Sequence, residues 1–112
     1  MVSKLRKIFD LIKTNKLQEA KIICFDSLNL NNKDPEVLNV YAIVLFQLKE
    51  YQEAIKNWKK AINLNPQYFH AYTNLGNALS ILKKYEEALE QFDKASKIRP
   101  NEISVSKKKQ YF

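Results

Sequence analysis

Three stretches of this chain repeat at a spacing of 34 residues, and that spacing limits most of what the chain can become. Leu17-Gln18-Glu19-Ala20, Tyr51-Gln52-Glu53-Ala54 and Tyr85-Glu86-Glu87-Ala88 align without gaps. Other columns keep step: Leu30, Leu64 and Ile98; Cys24, Trp58 and Phe92; Ser27, Ala61 and Ala95. Pro66 and Pro100 close the second and third stretches, and Asn32 stands where the first would have its Pro. A period in this range marks stacked supersecondary units, each too small to bury its apolar face alone.

Within a unit the apolar residues recur at helical steps. Tyr72, Leu75, Gly76, Leu79 and Leu82 form one face of a first helix. Lys83-Lys84 breaks the pattern, and Tyr85, Ala88, Leu89, Phe92, Ala95 and Ile98 start a second helix. Pro100 ends it, because proline disfavours helix at the residue before it. Gly76 and Ala88, like Ala42 and Ala54 one unit earlier, put small side chains where two antiparallel helices must approach. The chain therefore reads as all-α, and one Gly and three Pro leave too few turn residues for an all-β alternative.

The pattern resembles the tetratricopeptide repeat, a 34-residue helix-turn-helix unit. The motif is matched in the third unit by Tyr72, Leu75, Gly76, Leu79, Ala88, Phe92, Ala95 and Pro100. In the second it is matched by Leu38, Tyr41, Ala42, Leu45, Ala54, Trp58, Ala61 and Pro66. The first unit is degenerate, with Lys4, Lys7, Ile8, Leu11, Ala20, Cys24, Ser27 and Asn32. The resemblance implies a right-handed helical-repeat solenoid filling a single domain over 1–112. Its repeats span 1–34, 35–68 and 69–102, and residues 103–112 form a partial capping helix or a frayed tail. Ile8 occupies a position that is small in the other units, and Lys4 and Lys7 fall at inward positions. Either the first helix is rotated or its extra apolar face meets something else.

Charge and composition narrow the function. Of the net +7, residues 1–34 hold 7 basic and 4 acidic groups, and Lys107-Lys108-Lys109 add three more at the other end. The excess thus sits at the two ends rather than along one face, and Lys outnumbers Arg 17 to 2. Both features argue against nucleic acid as the partner. Electrostatic binding of nucleic acid or an acidic surface through Lys4, Arg6, Lys7 and Lys107 to Lys109 stands as the weaker alternative. One cysteine fits a reducing compartment, so a cytoplasmic location is expected. The first residues carry charge throughout, with no signal-peptide core, and no apolar run is long enough for a membrane span.

No catalytic constellation is visible. His70 and Cys24 are single residues of their types, so neither a catalytic Cys-His pair nor a zinc site is expected. One Gly precludes phosphate-cradling loops. The expectation is a non-enzymatic protein with no cofactor and no metal: an adaptor or scaffold that binds a protein or peptide in an apolar groove, or a structural module that homodimerises through that same groove.

The resemblance implies that the first helices of the units line a concave groove for a peptide or helix. The candidate binding residues are Leu5, Phe9, Ile12, Asn39, Val40, Ile43, Phe46, Gln47, His70, Thr73, Asn74 and Asn77. Ser80 and Ile81 also fall at groove positions of unit three. The segment 37–46 is apolar almost all round, so Val40, Ile43 and Phe46 are expected to join Leu5, Phe9 and Ile12 in one apolar floor, with hydrogen-bonding groups over unit three. If instead Leu5, Ile8 and Ile12 turn into the core, the floor is lost and unit one presents Arg6, Lys7 and Lys13, which suits an acidic ligand. One subgroup of the family grips chaperone carboxyl termini with a clamp of two Lys, two Asn and an Arg or Lys. The corresponding positions here are Leu5, Phe9, Val40, His70 and Asn74, and only Asn74 has the expected character. No carboxylate clamp of that type is expected.

Overall fold

The turn inside each unit is built the same way three times. In the computed structural model, which describes residues 4–31 and 33–100, Asn15, Lys49 and Lys83 adopt left-handed backbone with φ of 60°, 68° and 66°. In each turn two backbone N–H groups bond back to the preceding helix: Asn15 to Ile12 and Lys16 to Leu11, Lys49 to Phe46 and Glu50 to Leu45, Lys83 to Ser80 and Lys84 to Leu79. This pair of bonds is the Schellman closure of a helix C-terminus. It satisfies carbonyls that the helix end would otherwise leave open.

These turns divide the described chain into six helices. They are α1 (Lys4–Lys13), α2 (Leu17–Leu30), α3 (Pro35–Gln47), α4 (Tyr51–Leu64), α5 (Phe69–Ile81) and α6 (Tyr85–Ile98). The second helix of each unit stops at a residue that has left the helical region: Asn31 and Asn65 are extended, and Arg99 has φ −136° and ψ 80°. Asn65 and Arg99 precede Pro66 and Pro100, which disfavour helix at the residue before them. Asp34 caps α3, its carboxylate accepting from the N–H groups of Glu36 at 3.0 Å and Val37 at 3.4 Å, with Pro35 at the first helical position. The architecture is an all-α helical-repeat fold. The expected capping helix over 103–112 lies outside the described residues.

The core has two parts. Leu38, Leu45, Trp58, Tyr72, Leu75, Leu79 and Phe92, with the alanines between them, join units two and three. Ile8, Ala20, Cys24, Val40 and Val44 join unit one to α3. The rule that fills each unit explains the degenerate first one. In units two and three a small residue on the first helix, Ala42 or Gly76, goes with an aromatic on the second, Trp58 or Phe92. A Cβ placed on Gly76 would come within 2.8 Å of the Phe92 ring, so the space freed by the glycine is taken by that ring rather than by backbone. Unit one inverts the sizes: Ile8 and Cys24 are both fully buried. The large residue has moved to the first helix and the small one to the second, and close packing is kept.

The two alternatives for α1 are thereby resolved. Lys4 and Lys7 are exposed, whereas Leu5, Leu11 and Ile12 pack around Ile8 against Val40 and Val44. Ile8 and Leu11 keep the inward places that Ala42 and Leu45 hold in α3, so α1 stays in the repeat phase; its extra apolar residues, Leu5 and Ile12, meet the cluster of Val40 and Val44, and the Lys4–Lys7 side is exposed.

Candidate functional site

Helix α3 is apolar on nearly every side: two of its sides enter cores shared with its neighbours, and a third is left over. Leu38, Ala42 and Leu45 enter the core shared with unit three. Val40 and Val44 enter the cluster shared with unit one. Ile43 and Phe46 are left half-buried. They form one wall of a cleft of about 140 Å³, with Gln47 at its rim. Asn74, Asn77, Ala78 and Ile81 of α5 form the other wall, and Trp58 of α4 lies between them. An apolar cavity of about 150 Å³ accommodates a molecule the size of benzene, so this cleft has room for one aliphatic or aromatic side chain. Phe46 is held by Tyr51, ring centroids 4.8 Å apart, and by Trp58 at 6.0 Å.

A buried polar chain braces the cleft from behind. Asn39 is only 6% exposed. Its Oδ1 accepts from the Trp58 indole N–H at 2.8 Å and from Asn74 Nδ2 at 2.9 Å. Its Nδ2 donates to the Tyr68 hydroxyl at 3.4 Å. Burial pushes the Tyr68 phenol above its ordinary value, and the carboxylates of Glu36 and Asp34 add to the shift, while the Asn39 bond opposes it. The network is therefore neutral at ordinary pH.

The candidate residues divide unevenly over this geometry. Ile43, Phe46, Gln47, Asn74 and Asn77 come together at the cleft. Val40, at 1% exposure, and Asn39 are inside the protein and offer a ligand no surface. Leu5 and Ile12 pack into the unit-one cluster that covers Val40. The continuous floor expected from Leu5, Phe9, Ile12, Val40, Ile43 and Phe46 is thus corrected: Val40 is used for packing between units, and Leu5 and Ile12, half-buried, pack against the cluster that covers it. Phe9 stays 43% exposed, and Arg6, Lys7 and Lys13 of α1 are exposed with it. His70 is also exposed, with Tyr68 and Phe69 edge-on to its ring, and the Thr73 hydroxyl turns back to the His70 carbonyl at 3.0 Å. Neither lines the cleft. The expected order, apolar over units one and two and polar over unit three, is replaced by apolar and amide groups mixed in one cleft between units two and three.

Trp58, Ala78 and Ile81 line the cleft although none of them is among the twelve candidates. Ile81 is legible in the sequence as a groove position. Trp58 reads from sequence as packing alone, which its 2% exposure supports, and its part in the cleft depends on where α5 lies. Ser80 takes the place that Phe46 has in unit two, yet it is buried, and its Oγ has no partner among the described residues.

Reactive groups lie elsewhere. Cys24 is fully buried, and burial alone pushes its thiol up to about 12. Among the described residues no three His, Cys, Asp or Glu side chains group to hold a metal ion, and no helix is long and apolar enough to cross a membrane.

Two family models match the chain: "TPR repeat" over residues 43–82 and "Tetratricopeptide repeat" over residues 70–102. No curated protein sequence matches significantly. Among solved structures, the first TPR of Spaghetti (RPAP3) bound to HSP90 peptide SRMEEVD is 27% identical with a TM-score of 0.80, over 85% of this chain and 75% of that one. The Arabidopsis OM64 TPR domain is 23% identical with a TM-score of 0.84, over 92% and 87%. MamA is 24% identical with a TM-score of 0.82, and the match covers 90% of this chain but 59% of that one. The latter two likenesses establish the fold.

Proposed function

The chain belongs to the tetratricopeptide-repeat family, and from that premise we propose that it is a non-enzymatic adaptor or scaffold that takes a segment of a partner protein into the cleft between α3 and α5. The observation that carries this reading is the cleft itself. Ile43, Phe46 and Ile81 remain accessible beside the amides of Gln47, Asn74 and Asn77. Burying one apolar side chain there is worth about 1.5–3 kcal/mol, enough to anchor a segment that makes further contacts. The one thiol is buried and held protonated, which supports the non-enzymatic part of the reading.

The related RPAP3 domain is bound to an acidic peptide. This chain has Leu5, Phe9 and Val40 at three of the positions where the family's carboxylate clamp needs polar or cationic groups, and Val40 is buried. The proposed ligand is therefore not a carboxyl-terminal tail gripped in that manner. Acidic residues of the ligand fit better toward α1, where Lys7 and Lys13 are exposed.

Self-association is a second reading, favoured by the exposed apolar residues of unit one, Phe9, Ile22, Phe25 and Leu30. Molar mass in solution separates the two. A monomer that captures peptides, and loses them on Phe46→Glu with unchanged helix content, supports the peptide reading. A stable dimer that Phe25→Glu dissociates, with peptide capture unaffected, supports the other.

A further inference from the structure

A second groove, of about 270 Å³, runs between the second helices of units one and two, and it shares no residue with the cleft. Phe25 and Leu28 of α2 form one side, Lys56 and Lys60 of α4 the other, and Tyr41 of α3 lies at the base. Phe25 is 52% exposed, and Ile22, one turn earlier and 59% exposed, carries the apolar edge further along α2. The repeat shows why charge is unbalanced here. The places of Phe25 and Lys56 are taken by Lys59 and Glu90 one unit later, a pair of opposite sign within one chain. Between α2 and α4 the cation has become a phenylalanine and the acid a lysine. Lys56 and Lys60 have no ion pair among the described residues. Glu53, the single carboxylate of the lining, sits at one end and leaves the lining net positive. Asn57 adds a fixed acceptor. It is 5% exposed, and the atom 2.8 Å from the Glu53 carbonyl must be its donor, Nδ2. Nothing among the described residues donates to its Oδ1. Ser80 Oγ is the fully enclosed polar atom without a partner among those residues, so Asn57 Oδ1 must reach open space, and the space that Asn57 lines is the groove.

We propose that this groove docks an acidic amphipathic helix of a partner protein, with one tyrosine as anchor and two carboxylates one turn apart over Lys56 and Lys60. Each part of the ligand answers a group in the groove. Lys56 and Lys60 are themselves one helical turn apart, so side chains that meet both have the same spacing on a helix laid along α4. The volume exceeds the roughly 150 Å³ that holds benzene, so an aromatic ring fits against Phe25, Leu28 and Tyr41. A tyrosine pairs an apolar body with a hydroxyl donor, which Asn57 Oδ1 can accept. Glu53 confines the negative charge of the ligand to the Lys56–Lys60 end. This face is independent of the cleft between α3 and α5. A chain with both holds two partners side by side, which is what an adaptor has to do.

The test uses a library of sixteen-residue helical peptides, capped at both ends and randomised on one face, selected on the full chain. Peptides whose binding is lost in the Lys56→Glu, Lys60→Glu double variant are kept. The kept peptides should carry two Asp or Glu one turn apart and a tyrosine on the same face. Changing that tyrosine to phenylalanine should weaken Kd about fivefold on the natural chain and less than about twofold on Asn57→Ala. Replacing the two acids by lysines should abolish binding to the natural chain and restore Kd to within about threefold on the double variant, a recovery that also shows the variant to be folded. Raising salt from about 50 to about 500 mM should weaken the natural pair about fivefold. The inference is wrong if no peptide depends on Lys56 and Lys60, if the kept peptides show no acidic pair, or if lysine peptides fail to bind the double variant. It is also wrong if phosphatidylserine vesicles displace the kept peptides, which would make the face a lipid surface. A dimer that Phe25→Glu dissociates, and that excludes the peptides, would give the groove to a second copy and overturn the inference as well. Peptides that depend on Phe46 are selected separately, so each of these failures leaves the cleft reading standing.

Discussion

Gly76→Ala tests the packing rule of the repeat with a single methyl group. At an ordinary helix-interior site this change stabilises by about 1 kcal/mol, because alanine gives up less backbone freedom than glycine. Here the added Cβ would sit 2.8 Å from Phe92 Cε1 and 3.0 Å from Cδ1 and Cζ. Such distances lie well inside van der Waals contact, so the ring has to move. Phe92 is 1% exposed and has little room to do so. Overpacking of this kind costs about 1–3 kcal/mol. The clash outweighs the propensity gain, and the net expectation is a loss of about 1 kcal/mol. In a domain of this size that lowers Tm by roughly 4 °C. Thermal unfolding followed by circular dichroism measures it. Phe92→Leu supplies the second half of the argument: in the Gly76→Ala background it should cost about 1 kcal/mol less than in the natural chain, because the two sites share one space. A rise in Tm for Gly76→Ala, together with additive double-mutant energies, would refute the proposed contact.

Three other outcomes follow from the same structure. Lys83 holds a left-handed φ of 66°, so Lys83→Gly should stabilise by about 1 kcal/mol, measured by urea unfolding. Asp34→Ala removes the cap of α3 and should cost about 1 kcal/mol in the same assay. Cys24 resists ionisation up to about 12 in the folded protein, against an ordinary value of 9.0. Above pH 9 unfolding therefore releases a proton, so stability is full below pH 9 and falls as pH rises toward 12. Tyr41 and Tyr68, also raised by burial, act in the same sense. Cys24→Ala should flatten part of that decline, and a thiol reagent should label Cys24 slowly in native buffer and fast in denaturant.

What could be read from the sequence was whatever one repeat decides by itself. The inward positions Leu38, Leu45, Tyr72, Leu75, Ala88 and Phe92 are buried as the helical periodicity indicates. The second helix of unit three runs from Tyr85 to Ile98, as the break at Lys83-Lys84 and the stop at Pro100 require. What could not be read was decided between units. Val40 and Asn39 have the same in-repeat phase as surface residues, and they are buried because of how units one and three lie against α3. The packing of α1 depends on Ile8 and Cys24 exchanging sizes relative to the other units, a correlation between two helices that no single-helix pattern displays. The buried network behind the cleft needs the Trp58–Asn39 contact, which links residues 19 apart and carries no local signature.

Trp58 is the sole tryptophan of the chain and lines the cleft, so its fluorescence reports occupancy of the proposed site. The most direct test is a titration of the full chain with a capped peptide selected from a random library on the Lys56→Glu, Lys60→Glu chain, with Trp58 emission and calorimetric heat recorded together. The account predicts a saturable emission change whose midpoint matches the calorimetric Kd, and the loss of both signals in Phe46→Glu at unchanged helix content. Calorimetric binding that leaves Trp58 emission unaltered and persists in Phe46→Glu would place the ligand elsewhere and contradict the account.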